Sequence, residues 1–197
     1  MIFKAALVRK ATEKQSRSKR VERAMEGHER REAILRVLNE RSTPIRGSEL
    51  ASMFSVSRQV IVQDIGLLRA MGEKILSTPR GYVLARPYDE GLATRVIACK
   101  HLGEEELKDE LTTIVDLGGK VIDVVVEHPI YGELRGMLMI SSRADVEEFV
   151  KALRESEAKP LSALTEGVHL HTVQAKDESG LDRIERALGE KGYLFGG

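Results

Sequence analysis

The stretch Ser55-Val56-Ser57-Arg58-Gln59-Val60-Ile61-Val62-Gln63-Asp64-Ile65-Gly66-Leu67-Leu68-Arg69-Ala70 decides how this 197-residue chain is read. Ser57 or Ser55 offers a hydroxyl to the free amides that open a helix, and the spacing predicts that helix from Arg58 to about Ala70, closed by Gly72. At 3.6 residues per turn Ile61, Ile65 and Leu68 share one face, which leaves Arg58, Gln59, Val62 and Gln63 outward near the start.

Upstream, Ile34, Leu35, Val37 and Leu38 place an apolar face at helical spacing on a segment running from Glu29 to Arg41-Ser42-Thr43-Pro44, where proline forces a stop. A second, short helix is expected from Ser48 as N-cap, with Glu49 in its first turn and Leu50, Ala51 and Phe54 buried. Downstream, residues 74–84 read as two short strands around the turn Pro79-Arg80-Gly81. Three helices and a hairpin over residues 28–85 make a winged helix-turn-helix, a fold whose second motif helix lies in the DNA major groove.

The outward residues carry suitable chemistry. Arginine contacts guanine through two bonds, glutamine pairs similarly with adenine, and each contact gives about 1–3 kcal/mol of discrimination. Ser57, Arg58, Gln59 and Gln63 are therefore the candidate DNA-binding residues of the helix, and Arg80 at the wing tip is placed for a phosphate or the minor groove. The plainer alternative is a polar coat on a small helical domain.

Charge points the same way. The chain holds 31 Lys and Arg against 31 Asp and Glu, but residues 1–85 carry a net +8 and residues 86–197 a net −8. A basic half suits a polyanion, since phosphate neutralisation supplies most non-specific nucleic-acid affinity. Residues 1–27 form a basic extension of little apolar periodicity, which either grips DNA backbone or is dispensable, with Met25 the true start. The single cysteine, Cys99, excludes an intramolecular disulfide framework and a zinc–cysteine finger and suits a reducing compartment. No apolar stretch approaches the roughly 20 residues of a membrane span. A cytoplasmic protein without a membrane partner is expected.

Residues 86–91 read as a linker, and residues 92–197 as a separate domain. Strands are expected near 94–100, 121–127, 134–140 and 168–173, and helices near 104–115, 144–154 and 180–188. The class is α+β: the winged helix-turn-helix is followed by a two-layer α/β sandwich with a largely antiparallel sheet, because the loop at 129–132 is short enough for a hairpin.

Four of the five histidines fall here. His169 and His171, two apart on a strand, face the same way about 6–7 Å apart, while Val168 and Leu170 are expected to pack on the other side. Two imidazoles so placed reach one zinc, nickel or iron(II) ion in preference to calcium or magnesium. His101 ends the first strand, ahead of a helix carrying Glu106, Asp109 and Glu110, from which further ligands can come. The alternative is a pair of half-buried histidines with no ligand.

Nothing here assembles an enzyme. Cys99 and His101 lack an orienting group and an oxyanion site, and Gly118-Gly119 precedes a strand where a nucleotide-binding loop needs a helix.

The run from Val56 to Ile65, the wing from Thr78 to Leu84, Val126-Glu127-His128-Pro129-Ile130-Tyr131-Gly132 and Gly167-Val168-His169-Leu170-His171-Thr172 together resemble the nicotinate-responsive repressors of NAD biosynthesis and transport, over about residues 29–195. The resemblance implies one divalent transition metal ion per subunit, of the nickel, zinc or iron type, on His101, Glu110, His169 and His171. The run between His101 and Glu110 looks one residue longer than the family's, and the following Leu111 selects Glu110 over Glu106. It further implies nicotinic acid as corepressor and a homodimer on palindromic operator DNA; His128, beside Pro129 at a strand end, is expected either to line the effector pocket with Tyr131 or to serve as a backbone-bonded turn histidine. A metal sensor in which the ion is itself the signal is the competing reading, and a small metallohydrolase tethered to DNA is a third.

Overall fold

A computed structural model of the protein describes residues 26–41, 43–85 and 91–196. Almost all of the basic extension, and residues 86–90 of the expected linker, lie outside the described residues.

Helices α1 (Gly27–Glu40), α2 (Gly47–Met53) and α3 (Arg58–Ala70) precede a hairpin of β1 (Ile75–Thr78) and β2 (Gly81–Leu84). They bury one core of Ile34, Leu38, Ile45, Leu50, Ile61, Ile65, Leu68 and Ile75. Each such side chain contributes roughly 1.5–3 kcal/mol on burial. The α2 start differs from expectation: Arg46, not Ser48, is the N-cap, and Ser48 sits in the first turn, where its carbonyl accepts the Ser52 hydroxyl. Ile45 exchanges backbone hydrogen bonds with Tyr82 at 2.9 and 2.8 Å, which ties the wing to the start of α2. Gly81 allows this approach, since a Cβ there would lie 2.1 Å from the Ile45 carbonyl oxygen.

The second region runs β3 (Ala93–Lys100), α4 (Glu104–Asp116), β4 (Lys120–His128), β5 (Gly132–Ile140), α5 (Arg143–Ser156), a 3-10 turn (Leu161–Thr165), β6 (Val168–Ala175) and α6 (Glu178–Glu190). Its sheet has the order β3-β6-β4-β5, and every neighbouring pair is antiparallel. Leu107, Leu111 and Ile114 of α4, Val146 and Val150 of α5 and Leu181, Ile184 and Leu188 of α6 form one core with Ile97, Val121, Ile140 and Val173 of the sheet. All three helices therefore cover one side. On the opposite side the packing expected around Leu170 is not formed. Leu170 is 38 % and Val96 59 % exposed, because the helix layer lies entirely across the sheet from them.

Two irregularities shape the surroundings of the histidines. A register shift between Val121 and Asp123 bulges β4 and turns both the Asp123 carboxylate and its carbonyl toward β6. Beyond α6, Tyr193–Phe195 returns to pair with the end of β3: Lys100 N–H donates to the Tyr193 carbonyl, and Phe195 N–H to that of Ala98.

Candidate metal centre and nucleic-acid interface

Helix α3 begins at the expected residue. The Ser57 hydroxyl accepts the Val60 N–H at 3.3 Å, fixing where the outward face starts. Ser57, Arg58, Gln59 and Gln63 are all exposed, opposite buried Ile61, Ile65 and Leu68. Asp64, on the buried side, has no counterpart in the sequence reading. It is paired with Arg30 of α1, whose Nε lies 2.6 Å from Oδ2, with Arg31 at 3.5 Å.

A groove of about 510 Å³ separates the starts of α2 and α3 from the wing, lined by Arg46, Ser48, Arg58, Ser77, Thr78 and Arg80 among others. Arg80 does not project freely from the wing tip. Its Nη1 donates to Asp145 Oδ1 and its Nη2 to the Met139 carbonyl, both at 2.5 Å. The wing leans on β5 and the start of α5, so in this arrangement its guanidinium serves the second domain and the expected phosphate role is not displayed.

In the second domain the residues His101, Glu110, His169 and His171 meet between sheet and α4. All four are buried. Glu110 Oε2 lies 2.6 Å from His101 Nε2, 3.3 Å from His169 Nε2 and 3.5 Å from His171 Nε2. Glu106, the other candidate on α4, is exposed.

The far ring nitrogens explain the orientation. His169 Nδ1 is 2.8 Å from the Gly167 carbonyl, and His171 Nδ1 is 2.7 Å from the Asp123 carbonyl that the bulge presents. A carbonyl only accepts, so each Nδ1 carries the proton and donates, which leaves each Nε2 of a neutral ring as a lone pair aimed at Glu110. Gly167, at φ +88°, brings the loop within reach of β3: a Cβ there would lie 2.2 Å from the His101 carbonyl oxygen.

Lone pairs facing a carboxylate repel it unless a proton or a cation intervenes. Without a cation, protons do so. Burial alone would raise the Glu110 carboxyl, but His171, with hydrogen bonds from all three histidines, holds it well below the ordinary range. Burial likewise opposes a charged His171, yet the Glu110 carboxylate outweighs it and raises that imidazole above its ordinary value.

Two groups at the cluster escaped the sequence reading. The Cys99 sulfur lies with oxygen of Glu110 and nitrogen of His169 inside 4.8 Å of one another, and burial pushes its thiol far up, so it stays neutral. Its place two residues before His101 at the end of β3 was the available signal, while its pairing with His169 comes only from the fold. Tyr193 stands edge-on to His101 with ring centroids 5.6 Å apart and donates its hydroxyl to Asp109 at 2.9 Å. Nothing short of the tertiary fold brings it there.

The structure places His128 and Tyr131 away from the histidine cluster. They do not line the cavity beside the cluster, whose walls include Leu138, Phe149, Leu161 and Ser162. They sit at the tip of the β4–β5 hairpin, ring centroids 4.8 Å apart, with Tyr131 72 % exposed. His128 Nδ1 accepts the N–H groups of Ile130 and Tyr131 at 3.2 and 3.3 Å, as a turn histidine does.

Comparison with known proteins agrees with this two-part architecture. Residues 30–83 match a family described as an HTH domain, and residues 94–197 match the 3H domain. The probable transcription repressor NiaR of Thermotoga maritima is 48 % identical over 167 residues, covering 85 % of this chain and 94 % of that protein. The transcription repressor NadR of Bacillus subtilis is 45 % identical over 171 residues, covering 86 % and 94 %. The chain belongs to the NiaR/NadR family of transcription repressors. As a NiaR/NadR-type protein it is a DNA-binding regulator and not an enzyme, with the helix-turn-helix as the DNA-binding part. Among its described residues no helix is long and apolar enough to cross a membrane.

Proposed function

We propose that this repressor holds one divalent transition metal ion in its 3H domain, senses nicotinic acid there as corepressor, and as a homodimer closes on operator DNA of NAD-synthesis or niacin-uptake genes. The observation that carries the reading is the convergence of three imidazole Nε2 atoms on Glu110 Oε2, with the back nitrogens of His169 and His171 fixed on carbonyls. Back-bonded imidazoles with a carboxylate are a donor set that zinc or nickel accepts, and Glu110 Oε1, buried without a hydrogen-bond partner among the described residues, remains available as a further donor atom. The residues present therefore fit such an ion, with His101, Glu110, His169 and His171 as its ligands.

The ion would supply a positive field, or an open position, for a pyridine carboxylate. The chain's own residues do the rest: Leu138, Phe149 and Leu161 offer an apolar wall to the ring, and the buried setting excludes competing water. In the other domain Arg58, Gln59 and Gln63 read bases and Ser57 sets the helix start.

Operator titrations with and without nicotinate test the corepressor role; equal affinities remove it. Metal analysis of His169→Ala/His171→Ala tests the site, and an undiminished content removes the ligand assignment. One observation favours the second reading, a metal sensor. The cavity holds about 30 Å³, room for only a few water molecules and far below the roughly 300–1,000 Å³ of ordinary ligand pockets. Chelation followed by operator titration at fixed nicotinate separates the two, since a metal sensor responds to chelation and ignores the vitamin.

A further inference from the structure

Two of the arginines lining the groove beside the recognition helix are already occupied by oxygens of the 3H domain. Arg80 is gripped by Asp145 and the Met139 carbonyl, and Arg46 is paired with Glu148. Asp145 is built to do this. Its Oδ2 accepts the backbone N–H and the hydroxyl of Ser141 at 2.8 and 3.1 Å, which leaves Oδ1 aimed at Arg80. Met139 holds φ 55° inside β5, a left-handed conformation unusual for a residue with a side chain, and its carbonyl is the one that takes Arg80.

The geometry points to an intramolecular latch: Asp145, Glu148 and the Met139 carbonyl stand in for DNA phosphates on Arg80 and Arg46, and so withhold the wing and its groove from the duplex. An arginine binds carboxylate and phosphate through the same planar fork, so the two compete for one site. The carboxylates also repel a polyanion approaching that groove, which strengthens the block. The grip is shallow. Arg80 Nε is buried with no hydrogen-bond partner among the described residues, a desolvation penalty that the docked state carries and a released wing does not.

The latch adjoins the cavity. Leu138 precedes Met139 and Phe149 follows Glu148, and both Leu138 and Phe149 line the space beside the histidine cluster. A ring-sized ligand needs more than about 30 Å³, so admitting one displaces these walls and with them the two grips. This coupling rests on the proposed nicotinate role; the latch itself does not.

The test uses the full-length, metal-loaded chain without nicotinate, titrated with a random-sequence duplex between roughly 50 and 200 mM salt. Asp145→Asn/Glu148→Gln is expected to bind about tenfold more tightly than the unaltered chain, with a log–log salt slope steeper by about two as two further phosphates are engaged. Unchanged affinity and slope would overturn the latch. Glu148→Gln alone alters only a part-exposed helix-surface side chain and guards against misfolding; it is expected to gain about threefold, and no gain counts against the proposal. Adding Arg80→Ala to the double variant should cancel most of the gain, and a gain that survives intact refutes the role of Arg80. Nicotinate added to the unaltered chain is a separate arm. If it does nothing while the variants tighten, the latch stands and the vitamin reading falls; if it tightens binding while the variants behave like the parent, the reverse holds.

Discussion

In the winged helix the residues proposed to meet DNA stand on the surface. Arg58, Gln59 and Gln63 are exposed, and the core beneath them is aliphatic. In the 3H domain the residues proposed to hold a ligand are themselves core: His101, His169 and His171 face Glu110 of α4, beside Leu107 and Leu111. Surface function is separable from stability, whereas buried function is not, because a buried polar group left without its partner costs far more than a surface contact yields. Substitutions at the two sites should therefore divide cleanly between lost recognition and lost folding.

The largest effect is expected from Glu110→Ala. It leaves three imidazoles facing one another without their counter-charge and should destabilise the metal-free protein by about 3–5 kcal/mol in urea unfolding. A loss under about 1 kcal/mol would mean that the cluster relaxes freely, and would break the comparison. Asp64→Ala crosses the boundary from the other side. Asp64 belongs to α3, the proposed DNA-reading helix, yet is buried against Arg30, so it should behave like the 3H cluster and cost about 3 kcal/mol. Next comes Arg58→Ala, which should lose about 1–3 kcal/mol of discrimination between operator and mutated operator. Its unfolding free energy should stay within about 0.5 kcal/mol of the parent; parallel losses of folding and specificity would contradict surface placement. Ser57→Ala sits between the categories and should cost about 1 kcal/mol through the lost cap, measured by thermal melting.

Acidity sharpens the contrast through direction alone. Glu110 titrates below its ordinary 4.5 in the folded chain, so its contribution is present above that value and is lost as pH falls through the folded one. His171 titrates above its ordinary 6.5, so its contribution is complete below 6.5 and is lost as pH rises through the folded value. Chelator-treated protein should accordingly be most stable between about pH 4.5 and 6.5 and soften as pH rises above 6.5. Metal should bind more tightly over that same rise, as the Nε2 atoms shed their protons. A flat stability profile across the range would show that the pair does not form.

Legibility in the sequence followed the range of the causes. Helix α3 could be read to its first and last residue because a serine cap and a 3.6-residue repeat are local signals, and the strands of the 3H domain fell within a few residues for the same reason. His169 and His171 were legible as a pair because alternation along a strand is also local. What escaped depends on distant chain. Asp64 is buried and paired with Arg30, 34 residues away, Tyr193 reaches His101 only through the returning segment, and the Arg80 guanidinium is engaged within the groove by Asp145, 65 residues on. The place of His128 and Tyr131 relative to the cavity was open for a related reason. A motif does not reveal that a hairpin tip points away from the cavity it was expected to line.

Strand β3 is the outer strand of the 3H sheet on the histidine side, and the return of Tyr193–Phe195 along Ala98–Lys100 finishes its rim. An unfinished rim is a template for stray chains, and here it would open immediately beside His101. The segment Tyr193–Phe195 thus acts as a selvedge: removing it should leave the sheet able to recruit its own kind, so that aggregation and loosening of the histidine cluster arrive together.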